Sequence, residues 1–281
     1  MGVCLCDVVG GVIQTLPGGE RIMGLTSLDN HFYVLRAEKS SEQIEVYDVD
    51  CFYRLIHCLT VPGLGDNVKD IVACGHNRCA YISDWSHNSV HRVALSDATV
   101  SHWPVNDRPT SISLTYSHGV LVTCREVRKI KEFSTDGQLL HVLTLPQDVV
   151  SPWHAIQLSS GHFVVCHGKS SDQFGRHCVC LIGSDGSVVI KSFGGPQGSG
   201  SQQMNVPVHT AIDRNEFVFV ADVNNRRVLL LSPQLTFVRD ISFAWRPVKV
   251  HLDSDRGRLY VADNEKRDGR LAAGRVVVVS I

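Results

Sequence analysis

The chain has 281 residues, a net charge of −1, 43% hydrophobic and 20% charged residues. This composition excludes a disordered chain and an overall field for polyanions, so any nucleic-acid role has to rest on a local patch. The length suits one repetitive domain or two ordinary ones, and no apolar run is long enough to predict a membrane span.

In chain order, MGVCLCDVVG (1–10) lacks the basic-then-apolar plan of a secretory signal, and the residue at position 6 breaks the myristoylation pattern that Gly2 begins. Cys4 and Cys6 are candidates for palmitoylation, the alternative being two thiols on one strand face. GVIQTL (11–16) reads as an isolated outer strand. Six units follow, each built on an apolar run, a polar turn and a second run. HFYVLRAEKSSEQIEVYD is the first and weakest. CAYISDWSHNSVHRVAL, GVLVTCREVRKIKEF, HFVVCHGKSSDQFGRHCVCLI, FVFVADVNNRRVLLLS and RLYVADNEKRDGRLAAGRVVVVS are the others.

The first run of each unit ends at Arg36, Asp84, Cys124, His167, Asp222 and Asp263, with spacings of 48, 40, 43, 55 and 41. A period of roughly 45 residues marks a propeller or solenoid. The fifth unit divides into VPVHTAI, EFVFVAD, RRVLLLS and LTFVRDIS, with turn residues between them, which predicts four strands per unit. The sixth unit ends on its third strand, GRVVVVSI. The predicted fold is therefore all-β: a single domain over 1–281, a six-bladed β-propeller of four-stranded antiparallel blades, closed by N- and C-terminal strands that share one blade. Joining the ends removes the unpaired edges that an open ring would leave.

These units resemble NHL repeats, whose second and third strands read approximately Val-Ala-Asp-x-x-Asn-x-Arg-Val. The fifth unit matches at Val220, Ala221, Asp222, Asn225, Arg227 and Val228. The second keeps Asp84 and an offset Asn88, and the sixth keeps Asp263 and, after an insert, Arg275; units one, three and four lack the Asp. Asp84, Asn88, Asp222, Asn225, Arg227, Asp263 and Arg275 are read as a structural turn clamp. In it, the Asp binds the Arg and the Asn takes a positive φ. The resemblance implies a propeller of the kind that ends tripartite-motif ubiquitin ligases and recruits their substrates. No RING or B-box zinc pattern occurs in this chain.

His154, His209 and Lys249 occupy matching places at the start of the innermost strands of units four, five and six, and are expected to line the central channel. The fold is similar to that of peptidyl-hydroxyglycine amidating lyase, which holds zinc with Pro-His pairs on inner strands. Here one residue separates each Pro from its His, which by strand alternation turns the imidazole to the opposite face, so no metal or other cofactor is expected. No G-x-S-x-G, H-E-x-x-H or P-loop occurs, and the chain is not expected to be an enzyme. FGGPQGSGSQQ (193–203) reads as a mobile loop.

Arg125, Arg128, Lys129 and Lys131, with Arg226 and the later Arg246, Lys266, Arg267 and Arg270, form the candidate basic surface. Trp85, Trp103 and Trp153 near the turns could stack on bases. A protein partner is the favoured expectation and single-stranded RNA the alternative. The isolated domain is expected to be a monomer. Ten scattered cysteines without C-x-x-C, and no glycosylation sequon, predict a reducing, cytoplasmic setting.

Overall fold

The computed structural model describes residues 11–16, 18–37, 42–168, 175–264, 266–267, 270–271 and 274–281. Cys4 and Cys6 lie outside them, as do the side chains of Lys266, Arg267 and Arg270. Six four-stranded antiparallel sheets are arranged as blades. The first runs through Arg21–Leu28, His31–Ala37, Glu42–Asp48 and Arg54–Thr60; the second through Val68–Cys74, Cys79–Asp84, Ser89–Ala94 and Val100–Pro104. The third begins at Ser111–Leu114, the fourth at Pro152–Gln157, the fifth at Pro207–Ile212 and the sixth at Pro247–Asp253.

Closure follows the sequence expectation. Val12–Thr15 pairs antiparallel with Arg275–Ser280 and supplies the outer strand of the sixth blade. The second strands end at Ala37, Asp84, Cys124, His167, Asp222 and Asp263, one residue later than expected in the first blade and at the expected residue in the others. A short ladder between Lys266–Arg267 and Arg270–Leu271 lies within the insert of the sixth unit.

Burial explains why these second strands read as continuous apolar runs. Each blade is sandwiched between two others, so both faces of its middle strands are covered, as in VFVAD at 218–222, where every residue is buried. The hydrophobic core is accordingly divided into six clusters, each spanning two adjacent blades. At the seam, Phe32 of the first blade stacks on Tyr260 of the sixth at 4.2 Å between ring centroids. Outer strands face water and read weakly: Arg54–Thr60 is exposed along almost its whole length.

The turn clamp forms in the fifth and sixth blades, whereas in the second Asp84 has Ser89, not an Arg, opposite it. Asp222 accepts from Arg227 Nε at 2.9 Å, Asn225 Nδ2 at 2.7 Å and the Asn205 amide at 2.7 Å, and Asp263 accepts from Arg275 Nε at 2.9 Å. One detail differs from expectation: the left-handed residue is Arg226 (φ 55°), not Asn225, because Val223–Asn225 winds as one turn of 3-10 helix. Asn88 (φ 52°) and Arg128 (φ 54°) adopt the same conformation in the second and third blades. The first blade inverts the polarity, with Arg36 at the end of the second strand bonded to Glu45 on the third at 2.6 Å. The glycine-rich loop before the fifth blade is pinned rather than free. Arg227 donates to the Gly200 and Gln203 carbonyls, Asn225 donates to that of Gly198, and the Gly198 amide reaches Met204 O at 3.1 Å.

Candidate functional site

The inner strands share a device absent from simple alternation. A β-bulge interrupts pairing between Ile22 and Gly24, Val68 and Asp70, Pro152 and His154, Pro207 and His209, and Pro247 and Lys249. The extra residue resets the alternation, so each His pairs with the neighbour of the Pro's own partner. The simple alternation assumed between each Pro and its His is thereby corrected, while His154, His209 and Lys249 lie together in the channel. Gly24, Asp70, Ser111, His154, His209 and Lys249 hold equivalent registers, opposite Leu35, Ser83, Thr123, Cys166, Ala221 and Ala262.

Four of these six meet at the channel axis. Asp70, 1% exposed, accepts from Lys249 Nζ at 2.9 Å through Oδ1 and lies 3.1 Å from His209 Nε2 through Oδ2. His154 Nε2 is 3.9 Å from the same oxygen, its Nδ1 is 2.9 Å from Thr210 Oγ1, and its ring lies 3.9 Å from that of His209. Gly24 makes room for this cluster: a Cβ there would stand 2.6 Å from the Ile71 amide nitrogen and 3.0 Å from Asp70 Oδ1. Burial pushes the Asp70 carboxyl up, but Lys249 and then His209 more than reverse it, and it is held below the usual carboxylate range. Burial lowers His154, His209 and Lys249 alike, with Asp70 opposing the fall in each, and the Lys249 Nζ at 2.9 Å is the group paired most closely with the carboxylate.

The donor set Asp70, His154 and His209 lies within the spread a metal ion could bridge. It does not fit the zinc that the amidating-lyase resemblance brings to mind, because the Lys249 ammonium already occupies the cation position on the carboxylate.

Above this cluster the channel widens into a basin of about 1230 Å³, lined by all six blades. The bulge residues form its lower wall: Met23, Lys69, Trp153, Val208 and Val248, with Thr110 in the third blade. Five arginines (Arg21, Arg125, Arg128, Arg226, Arg246) and two lysines (Lys69, Lys249) face the cavity against one acid, Glu126. Glu126 itself pairs with Arg108 at 3.4 Å. Two tryptophans lie among these cations. The Arg125 guanidinium sits 3.6 Å over the Trp153 ring, and that of Arg108 lies 4.1 Å over Trp85. Crowding of like charge is felt: burial, then Arg21, Lys249 and Arg125, bring the Lys69 ammonium down to about 8.

The structure therefore divides the predicted basic surface. Arg125, Arg128 and Arg226 converge on the basin, whereas Lys129 lies on the third strand of its blade, paired with Thr144, and does not line it. Lys131 is not on the surface at all. It is 6% exposed and donates to Val105 O at 2.6 Å and Asp107 at 2.7 Å, because alternation carries it inward. Trp103 is likewise a core residue, packed against Tyr81 and Phe133. Arg21, Lys69 and Asp70 were missed by sequence reasoning. The signal was present, since Val68-Lys69-Asp70 stands where Pro-x-His stands in later units.

No family model matches this sequence, and no curated protein is similar to it in sequence. Its fold is widely shared among solved structures. Virginiamycin B lyase from Staphylococcus aureus superposes with a TM-score of 0.65 at 10% identity, covering 97% of this chain and 99% of that one. The β-propeller domain of Cps50 (Swd1) from Myceliophteria thermophila gives 0.65 at 11%, with 97% and 99% covered. The WD40 propeller domain of Doa1 gives 0.62 at 12%, with 96% of each chain covered. The chain is thus similar in architecture to both a lyase and WD40 domains, and the class it falls in is the β-propeller, here with six blades. Among the described residues no helix is long and apolar enough to cross a membrane.

Proposed function

We propose that this propeller is a non-catalytic interaction module that receives an anionic segment of a protein partner in the basin. The observation that carries the reading is the convergence of Arg21, Arg125, Arg128, Arg226, Arg246 and Lys69 around one cavity in which, among the described lining residues, the single acid, Glu126, is already paired. Cations held this close in a concave, low-dielectric setting repel one another, and an anion relieves that repulsion. Trp85 and Trp153 supply flat apolar contact between the charges, the combination found at interaction hot spots. The central Asp70–Lys249 pair acts as a charged floor that orders the inner strands. The resemblance of the fifth and sixth units to NHL repeats supports a role like that of propellers that recruit substrates to ubiquitin ligases, with a cytoplasmic partner.

Single-stranded RNA is the second reading, favoured by the guanidinium–tryptophan stacks, which resemble base platforms flanked by phosphate-binding cations. A pulldown with the full chain, with and without RNase, and with Arg226→Glu combined with Lys69→Glu, tests both. A partner that survives RNase but not charge reversal supports protein recruitment; one lost to RNase supports RNA. Capture indifferent to the charge reversals would remove the basin from either account.

A further inference from the structure

The second blade carries a version of the turn clamp with its cation missing. In the fifth and sixth blades the buried Asp at the end of the second strand is balanced by Arg227 or Arg275, which stand opposite it as the first residue of the third strand. In the second blade Ser89 holds that place. The Asp84 side chain has no exposure, and among the described residues no Lys or Arg pairs with it. What surrounds it are two imidazoles: His87 Nδ1 lies 3.0 Å and His91 Nε2 3.2 Å from the same oxygen, Oδ2.

The imidazoles meet the carboxylate through ring nitrogens, where Arg227 and Arg275 bring a guanidinium to the matching carboxylates of the fifth and sixth blades. The rest of the carboxylate is fixed from the backbone. The Gly65 amide donates to Oδ2 at 2.7 Å and the His87 amide to Oδ1 at 3.1 Å. Gly65 is needed for this approach, since a Cβ there would fall 2.7 Å from Asp84 Oδ1 and 3.1 Å from His87 Nδ1. The carboxylate is thus oriented independently of the imidazoles, as the backbone bonds behind a metal-ligating carboxylate require.

We propose that Asp84, His87 and His91 form a binding site for one divalent ion of the zinc class. Metal–ligand bonds of about 2.0–2.1 Å in tetrahedral geometry place neighbouring ligand atoms roughly 3.3 Å apart. The two oxygen–nitrogen separations, 3.0 and 3.2 Å, are already close to that edge, and all three ligand atoms lie within 4.8 Å of one another. Closing the remaining nitrogen–nitrogen gap asks only for rotation of His87, whose side chain is 58% exposed. Two imidazoles with one carboxylate select zinc, cobalt or nickel over magnesium and calcium. His87 and His91 also border a cavity of about 780 Å³, which gives solvent or a small ligand access to the remaining coordination positions. The ion would supply the positive charge that Arg227 and Arg275 give elsewhere, and it would brace the turn that carries Trp85 to the basin.

The test uses the full chain stripped with a chelator and titrated with cobalt(II), followed by its visible ligand-field absorption and by zinc competition. One equivalent is expected, with zinc raising Tm and magnesium leaving it unchanged. His87→Ala should weaken affinity at least about tenfold, and the metal-induced rise in Tm should shrink with it. His91→Gln should do likewise for affinity, whereas His154→Gln, in the central channel, should not affect it. Absence of a cobalt spectrum, binding that survives both His87→Ala and His91→Gln, or binding abolished by His154→Gln would each overturn the assignment. The outcome is independent of what occupies the basin.

Discussion

Replacing Lys249 with Met removes the one positive charge that balances Asp70 while keeping the length and apolar stem of the side chain. At 2.9 Å and an effective dielectric of 20, the pair is worth about 6 kcal/mol of gross attraction, most of it offset by desolvating both ions. The measurable loss is the cost of leaving a buried carboxylate alone, typically about 3–5 kcal/mol. The lower figure applies, because His209 at 3.1 Å and the Ile71 amide at 3.1 Å still bind the carboxylate. For a chain of 281 residues the unfolding entropy is about 0.6 kcal/mol/K, so about 3 kcal/mol lowers Tm by roughly 5 °C. Thermal unfolding followed by circular dichroism at pH 7 reads this directly. The double variant Asp70→Asn with Lys249→Met removes both charges and should recover part of the loss. A Lys249→Met protein melting within about 1 °C of the parent, or a double variant less stable than the single one, would refute the claim that this pair is electrostatically coupled.

Three further outcomes are expected. An anion in the basin should raise the Lys69 pKa above its free value of about 8, so affinity is full below pH 8 and falls as pH rises past it; Lys69→Met should flatten that profile in a binding titration. Burial lowers His167 to about 4 from an ordinary 6.5, so the unfolded chain takes up a proton that the folded one refuses. Stability is then full above pH 6.5 and declines toward pH 4, by about 2 kcal/mol at pH 5 from this residue, and urea unfolding of His167→Gln should show a shallower loss over that range. Arg227→Met leaves Asp222 buried without its cation and frees the Gly200 and Gln203 carbonyls, so a loss of about 3 kcal/mol in chemical denaturation is expected, against near neutrality for the exposed Arg214→Met.

The blade count and strand ends were legible because the middle strands are covered on both faces. Unbroken apolar runs closing on Asp84, Cys124, His167, Asp222 or Asp263 can hardly be read another way. Closure by residues 11–16 was legible from a fourth strand missing at the other end. The channel was half legible. His154, His209 and Lys249 stood out by their flanking prolines, but their direction depends on bulges that sheet curvature imposes, and no residue type announces a bulge. Asp70 carried only a positional signal, weakened because Val68 replaces the proline, and the fate of Lys131 was hidden because a run of basic residues on a strand is divided between two faces. The basin itself joins side chains from six units far apart in sequence, so its charge balance emerges only once the ring is closed.

The clasp between Val12–Thr15 and Arg275–Ser280 also sets an order of events during synthesis. The third strand of the last blade is the final piece of the ring to be translated, and Val276 and Val278, which join the sixth blade's face to the first, are made with it. Until those residues leave the ribosome, the strand at 12–15 has nothing to pair with and the first blade shows one bare side. A nascent chain stalled shortly before residue 275 should therefore bind chaperones that recognise exposed aliphatic strands, and release them once the strand Arg275–Ser280 is clear of the ribosome.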